Sequence, residues 1–327
     1  MSGWLDVHAH YVTERYSEEC ADAGHGSPDG MPGMPHWSLD AALDVMADSG
    51  VAAAVLSISS PGVHFGDDSV DRDAQARDLA RHVNEAGAEI VARHPNRFGL
   101  SSALPLPDVE GALAELVHAY DMLQTDAVAL QTNYHGRYLS DPAFAPVLAE
   151  LDARSAVVTL HPTSPPDWRR TALGRPRPMI EFLFDTTRCV IDLALSGVLT
   201  DHPHIRWIVP HAGAALPPLV HRVTAMSGML GTPIDPTALL NGLYFDLAGL
   251  PLPIALDGLL ALVPPARLLY GSDFPFTPAP GVTGLAQALR HAPALQEAQL
   301  GLEENAPAAE LFPRLRKAQA ETARPAC

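Results

Sequence analysis

The sequence predicts an α/β fold, a single (β/α)8 TIM barrel with a long first loop. Three observations predict it: eight short β-branched or apolar runs, amphipathic segments between them, and metal-capable side chains at the ends of several runs. A barrel of this kind fills about 250 residues and accepts insertions. The 327 residues therefore divide into one catalytic domain, 1–312, and a polar C-terminal tail, 313–327.

The first strand is read at Leu5–His10. The loop after it contains Gly24–Pro35, crowded with glycine, proline and polar residues, and reads either as a cover over one end of the barrel or as a surface insertion. Leu39–Ser49 is the first helix, and Gly50 suits its C-terminal cap. The second strand, Val51–Ser57, leads to a helix at Asp71–His94, and the third, Arg97–Leu104, to one at Val109–Leu123. Asp108 and Asp141 stand where a short acceptor satisfies free N–H groups at a helix start, and Pro142 fits the first turn. The fourth strand, Ala127–Asn133, therefore precedes a helix at Pro142–Ala153. Strands at Ala156–His161, Ile205–His211 and Leu243–Leu247 alternate with helices at Met179–Leu199, Leu216–Leu230 and Ile254–Leu262. Leu268–Asp273 is the eighth strand. An open doubly wound sheet is the competing architecture, but no Gly-x-Gly-x-x-Gly follows the first strand.

Composition narrows the function classes. With 47% apolar and 18% charged residues, the chain can build a large core. A formal charge of −17 repels phosphate backbones, which argues against nucleic-acid binding. No apolar run has the length of a membrane span, and no basic leader precedes an apolar stretch, so a cytoplasmic protein without membrane contact is expected. Cys20, Cys189 and Cys327 show neither metal-type spacing nor an even count, which fits a reducing compartment.

Chemistry concentrates at strand ends. His8 and His10 lie two residues apart on one strand, so their side chains leave the same face. His161, His211 and Asp273 close the fifth, sixth and eighth strands, and in a barrel all these ends meet at one mouth, where active sites form. His8, His10, His161 and Asp273 make a ligand set for one divalent metal with an open position. His211 then remains as an acid or base, since an imidazole titrates at about 6.5. The fourth strand has no lysine, glutamate or aspartate to bridge a second ion. Asp246 on the seventh strand is a candidate either to orient a ligating histidine from behind or to serve as a buried structural carboxylate. His64 and His135 lie just beyond the second and fourth strands and are placed to line the cleft.

These residues sit in phrases that together resemble the amidohydrolase superfamily over nearly the whole chain. The phrases are Asp6-Val7-His8-Ala9-His10, His161-Pro162-Thr163, Phe184-Asp185-Thr186-Thr187-Arg188, Val209-Pro210-His211-Ala212-Gly213 and Tyr270-Gly271-Ser272-Asp273-Phe274-Pro275. Within it the chain resembles the branch of aminocarboxymuconate semialdehyde, resorcylate and methylsalicylate decarboxylases. The resemblance implies metal ligation by His8, His10, His161 and Asp273, catalysis by His211, and a homodimer. Some members carry glutamate at the first ligand and use manganese; the histidine here points to zinc, with manganese as the alternative. Members acting on the aminocarboxymuconate skeleton use an arginine before the first barrel helix, and Ser38–Ala42 has none.

The expected activity is non-oxidative decarboxylation of a salicylate-like aromatic carboxylate without an organic cofactor. The metal would orient the substrate, and His211 or Asp273 would protonate the ring carbon that loses its carboxylate. Phe184, Phe274, Phe276, Tyr134 and Trp168 are candidates for the wall around the ring, and Arg188 for a substrate contact or a supporting position. The alternative is a mononuclear metal-dependent hydrolase of a lactone, ester or amide. A third reading is a barrel kept as a binding scaffold, but a scaffold has no physical need of an open ligand set.

Overall fold

The computed structural model of the chain describes residues 3–66, 70–297 and 306–315. Eight strands form one parallel sheet in chain order: β1 (Trp4–His10), β2 (Val51–Ser57), β3 (Phe98–Ala103), β4 (Ala127–Gln131), β5 (Val157–His161), β6 (Arg206–Val209), β7 (Tyr244–Asp246) and β8 (Leu268–Leu269). The sheet closes on itself beyond β8. Val7 N–H donates to the Tyr270 carbonyl at 3.0 Å and His10 N–H to that of Phe274 at 2.7 Å. This is the (β/α)8 barrel that the alternation of strands and helices predicts.

One main helix follows each strand: α1 (Leu39–Ser49), α2 (Val70–Arg93), α3 (Val109–Asp121), α4 (Ala145–Ala153), α5 (Glu181–Leu195), α6 (Leu216–Met229), α7 (Ile254–Leu260) and α8 (Ala279–Arg290). The expected caps are in place. Ser38 accepts from Ala41 N–H and Asp108 from Gly111 N–H, while Gly50 ends α1 at φ 67°. Asp141 caps a 3-10 turn at Pro142–Phe144 that leads into α4. The helix expected at Met179–Leu199 is divided into a turn at Arg177–Met179, α5 and a short helix at Val198–Asp201, because Gly197 takes φ 86°.

Two apolar clusters hold the barrel. Outward-facing strand residues such as Trp4, Ala54, Val128 and Val209 pack under the helices. Leu5, Val7, Ala53, Val55, Ala127, Val157, Ile208, Tyr244 and Leu269 pack with Ala308, Leu311, Phe312 and Leu315, from a C-terminal segment. Strand ligands crowd the opposite end, so this segment plugs the barrel floor. Arg314 secures it through Asp126 and the carbonyls of Pro95 and Phe98. Residues 313–315 of the expected tail thus belong to this plug, and 316–327 lie outside the described residues. No helix among the described residues is long and apolar enough to cross a membrane.

Candidate metal centre

β1 brings two histidines to the mouth by changing phase. Leu5 and Val7 join the floor cluster whereas Ala9 joins the outer one, and the pairing register with β2 shifts between Asp6 and Ala9. Such an irregularity re-aims the side chains that follow it. The Asp6 carboxylate fixes it by accepting from His8 N–H at 3.0 Å and Ser272 N–H at 3.1 Å. Burial pushes the Asp6 carboxyl up to about 7, against the lowering effect of those hydrogen bonds.

His8, His10, His161 and Asp273 place one ligand atom each within 4.8 Å of one another. Asp273 Oδ1 lies 3.3 Å from His10 Nε2 and 3.7 Å from His8 Nε2. Tetrahedral ligands about 2.0–2.2 Å from a common ion stand roughly 3.3–3.6 Å apart, so the two Asp273 distances are close to those around a small divalent cation. Each ring is anchored on its far side. His8 Nδ1 meets Asp246 Oδ2 at 2.9 Å, His10 Nδ1 meets Ser57 Oγ at 3.0 Å, and His161 Nδ1 meets the Pro162 carbonyl at 2.7 Å. A hydrogen on Nδ1 leaves the Nε2 lone pair for a metal. The Nε2 atoms of His8 and His10 are buried without a hydrogen-bond partner, while that of His161 lies 3.2 Å from Ser59 Oγ. Buried nitrogens are rarely left in this condition unless something else meets them.

Electrostatics agree with that donor set. Burial opposes a charge on His8, but Asp246 and Asp273 outweigh it and raise the imidazole to about 9. Burial holds His10, His161 and His211 below the ordinary imidazole range. Burial also opposes ionisation of Asp273, yet His10 and His8 hold its carboxyl well below the usual carboxylate range. The site thus holds an ionised carboxylate among neutral rings, and one histidine draws in the positive charge that the group attracts.

His211 and Asp273 were expected to close strands, but β6 ends at Val209 and β8 at Leu269. Both residues lie in the following loops at φ 57°. The left-handed region is uncommon for residues with a Cβ and persists only where surrounding contacts fix it. Asp246 Oδ1 supplies such contacts, accepting from His211 N–H at 3.1 Å and Ala248 N–H at 3.0 Å. Thr187 on α5 adds another by accepting from Ala215 N–H at 3.0 Å. Asp246 thereby joins the back of the His8 ring to the loop that presents His211.

Above the centre opens a cavity of about 500 Å³ that includes His161, His211 and Asp273 in its lining. Its walls include Met31, Phe182, Leu183, Pro251 and Phe276, and the long first loop contributes Pro28, Asp29 and Met31. Phe276 alone of the expected aromatic candidates lies in this lining, edge-on to His10 with ring centroids 5.5 Å apart. The structure places the others elsewhere. Phe184 is exposed on the outer side of α5, Phe274 packs against the outer core, and Tyr134 stacks near Phe144 while its hydroxyl accepts from Gln131 N–H. Trp168 lies under the guanidinium groups of Arg169 and Arg177. Arg188 donates to Asp185 and Tyr138. His64 joins Asp73 and His135 in a separate cluster. Phe182, Leu183 and Met179 were missed because the helix start fixes the phase of α5, and two residues of error turn Phe184 inward in place of Phe182.

Comparison with known proteins agrees with this architecture. The amidohydrolase family profile matches residues 5–314. The 6-methylsalicylic acid decarboxylase of Aspergillus aculeatus is 35% identical over 97% of this chain and 98% of its own length. That of Penicillium expansum is 32% identical, covering 95% of this chain and 97% of its own. The crystal structure of amidohydrolase II, a structural genomics target, superposes with a TM-score of 0.88 at 32% identity, over 95% of this chain and 99% of that one.

Proposed function

The chain belongs to the amidohydrolase family, and from that premise we propose that it is a metal-dependent, non-oxidative decarboxylase of a salicylate-like hydroxybenzoic acid. The observation that carries the reading is the cavity itself: largely apolar walls with room for a substituted ring, ending on His161, His211 and Asp273. Ligand pockets of this kind span roughly 300–1,000 Å³ and use few polar groups to fix orientation. Full-length similarity to two 6-methylsalicylic acid decarboxylases supports the same substrate class.

His8, His10, His161 and Asp273 would hold the ion, with zinc favoured by histidine at the first position and manganese the alternative. When bound, a divalent ion supplies positive charge for the carboxylate or ortho oxygen of the acid. Among the described residues that line the cavity there is no lysine or arginine, so the lining itself offers no such side chain for that task.

The remaining chemistry falls to His211 and Asp273. Breaking the bond to the carboxylate carbon releases CO2 and leaves the bonding pair with the ring. The ring carbon must therefore receive a proton where the carboxylate was. His211 and Asp273 both line the cavity, and His211 Nδ1 is buried without a hydrogen-bond partner. We assign proton delivery to this pair, which must first take the proton from solvent, because Asp273 is ionised and His211 neutral at rest. Phe182, Leu183 and Phe276 exclude water from the ring face.

The test combines metal analysis of the purified protein with CO2 release from a panel of hydroxybenzoic acids. Stoichiometric metal and CO2 release are expected. Stoichiometric metal with no CO2 from any member, but turnover of lactones, esters or amides, would replace this reading with the hydrolase one.

A further inference from the structure

Asp29 is an anomaly in the cavity wall. It comes from the long first loop, is only 6% exposed, and stands among mostly apolar lining residues such as Pro28, Met31 and Pro178. A carboxylate in such surroundings is costly unless its oxygens are met. One oxygen is met: Ser164 Oγ donates to Asp29 Oδ1, and Arg177 Nε donates to Ser164 Oγ at 3.0 Å. The other oxygen has no hydrogen-bond partner among the described residues; Arg177 and His25 act on the carboxylate only through space.

The presentation of this group is built. Asp29 takes φ 52° and Gly30 φ 77°, in a turn closed by Met31 N–H donating to the Pro28 carbonyl at 2.9 Å. A Cβ at Gly30 would lie 2.5 Å from an Arg177 guanidinium nitrogen, so the first loop and the segment before α5 meet closely here. Arg177 is held in turn over the Trp168 ring at 4.0 Å. The latch therefore fixes one carboxylate oxygen of a residue that lines the cavity and leaves the other without a hydrogen-bond partner among the described residues.

We propose that Asp29 reads a hydrogen-bond donor on the edge of the substrate remote from the metal centre. The inference rests on the decarboxylase reading and narrows its substrate class. If the carboxylate and ortho oxygen face the centre, the remote edge is ring carbons 4 and 5. Preferred acids then carry a second hydroxyl there, and a second carboxylate is repelled. A methyl group at the same place leaves the buried acceptor unmet, which is the arrangement that discriminates most strongly against an analogue.

The test is equilibrium binding to the metal-loaded enzyme by calorimetry. The probes are 2,4- and 2,5-dihydroxybenzoate, each compared with the salicylate bearing methyl at the same carbon. Wild type is expected to prefer the hydroxyl member of at least one pair by about tenfold to a hundredfold. Asp29→Asn can still accept from Ser164 while turning an N–H donor to the cavity, and the preference is expected to vanish or invert. Ser164→Ala breaks the latch, keeps the carboxylate, and is expected to weaken both members while retaining the preference. Absence of a preference in wild type overturns the proposal without any variant, as does its persistence in a folded Asp29→Asn protein. Binding does not depend on turnover. A protein with the expected preference but no CO2 release refutes the decarboxylase reading alone, and CO2 release without a preference refutes the role of Asp29 alone.

Discussion

Asp246→Asn tests whether the metal centre depends on a residue that does not itself join the ligand set. In the native site Asp246 Oδ2 meets His8 Nδ1 at 2.9 Å, while Oδ1 accepts from the N–H groups of His211 and Ala248. Asparagine keeps one acceptor and turns the other into an NH2 group. If the oxygen serves the two backbone donors, the NH2 faces His8 Nδ1, which must lose its hydrogen; the hydrogen moves to Nε2, and the ring cannot ligate through that atom. If the amide flips, its NH2 opposes two backbone N–H groups and releases the loop carrying His211. Loss of such an orienting partner costs about 10- to 100-fold in metal affinity, equivalent to about 1.4–2.7 kcal/mol. Competition with a chromophoric chelator at neutral pH measures this directly, and catalysis at limiting metal is expected to fall in parallel. An affinity within about threefold of wild type, in a folded variant, would refute the idea that Asp246 sets the His8 tautomer.

Three further outcomes follow from the same structure. His211→Asn is expected to retain stoichiometric metal and lose CO2 release, whereas His161→Ala loses both; the reverse pattern in metal analysis and turnover would exchange ligand and catalyst. In the metal-free protein His8 is raised to about 9, chiefly by Asp246 and Asp273 acting against burial, and it must shed its proton to ligate. Metal affinity should therefore climb with pH from neutrality and level off near pH 9, with proton release seen as a buffer-dependent binding heat. Phe312→Ala in the barrel floor, where the ring is 0% exposed, is expected to cost about 3–5 kcal/mol in urea unfolding. Metal content should remain stoichiometric, since the floor cluster and the ligand set occupy opposite ends of the barrel.

The residues that could be read from sequence are those whose position along a strand decides their direction. His8, His10 and His161 lie at the C-terminal ends of strands, and alternation pairs His8 with His10 on one face, although it takes the register shift between Asp6 and Ala9 to turn that face toward the mouth. His211 and Asp273 were legible as members of the cluster but not as loop residues, because β8 contributes only two ladder residues before the chain leaves the sheet. The cavity wall was poorly legible. Phe276 was among the named candidates, whereas Asp29, Met31 and Phe182 depend on the path of a long loop and on the starting phase of a helix. Neither is encoded in a local hydrophobic period. Asp29 had a weak signal in Pro28-Asp29-Gly30, a turn-forming sequence, but nothing local shows that the turn folds back over the mouth.

The division between strand-borne and loop-borne residues bears on how the site works. Three imidazoles leave strand ends and are each anchored behind the ring, which suits ligands whose separation must be kept within tenths of an ångström. His211, Ala212, Ala214 and Asp273 occupy the left-handed region, a conformation that costs of order 1 kcal/mol or more per residue and persists through contacts elsewhere. Those contacts converge on few groups: Asp246 holds the His211 backbone, Thr187 holds Ala215, and the His8 carbonyl accepts from Asp273 N–H at 2.7 Å. Two of them begin at His8 or at the aspartate behind its ring. The position of the proposed proton-transfer pair is thus tied to that of the proposed ligand set, and a change at Asp246 should alter both metal affinity and the reaction at saturating metal.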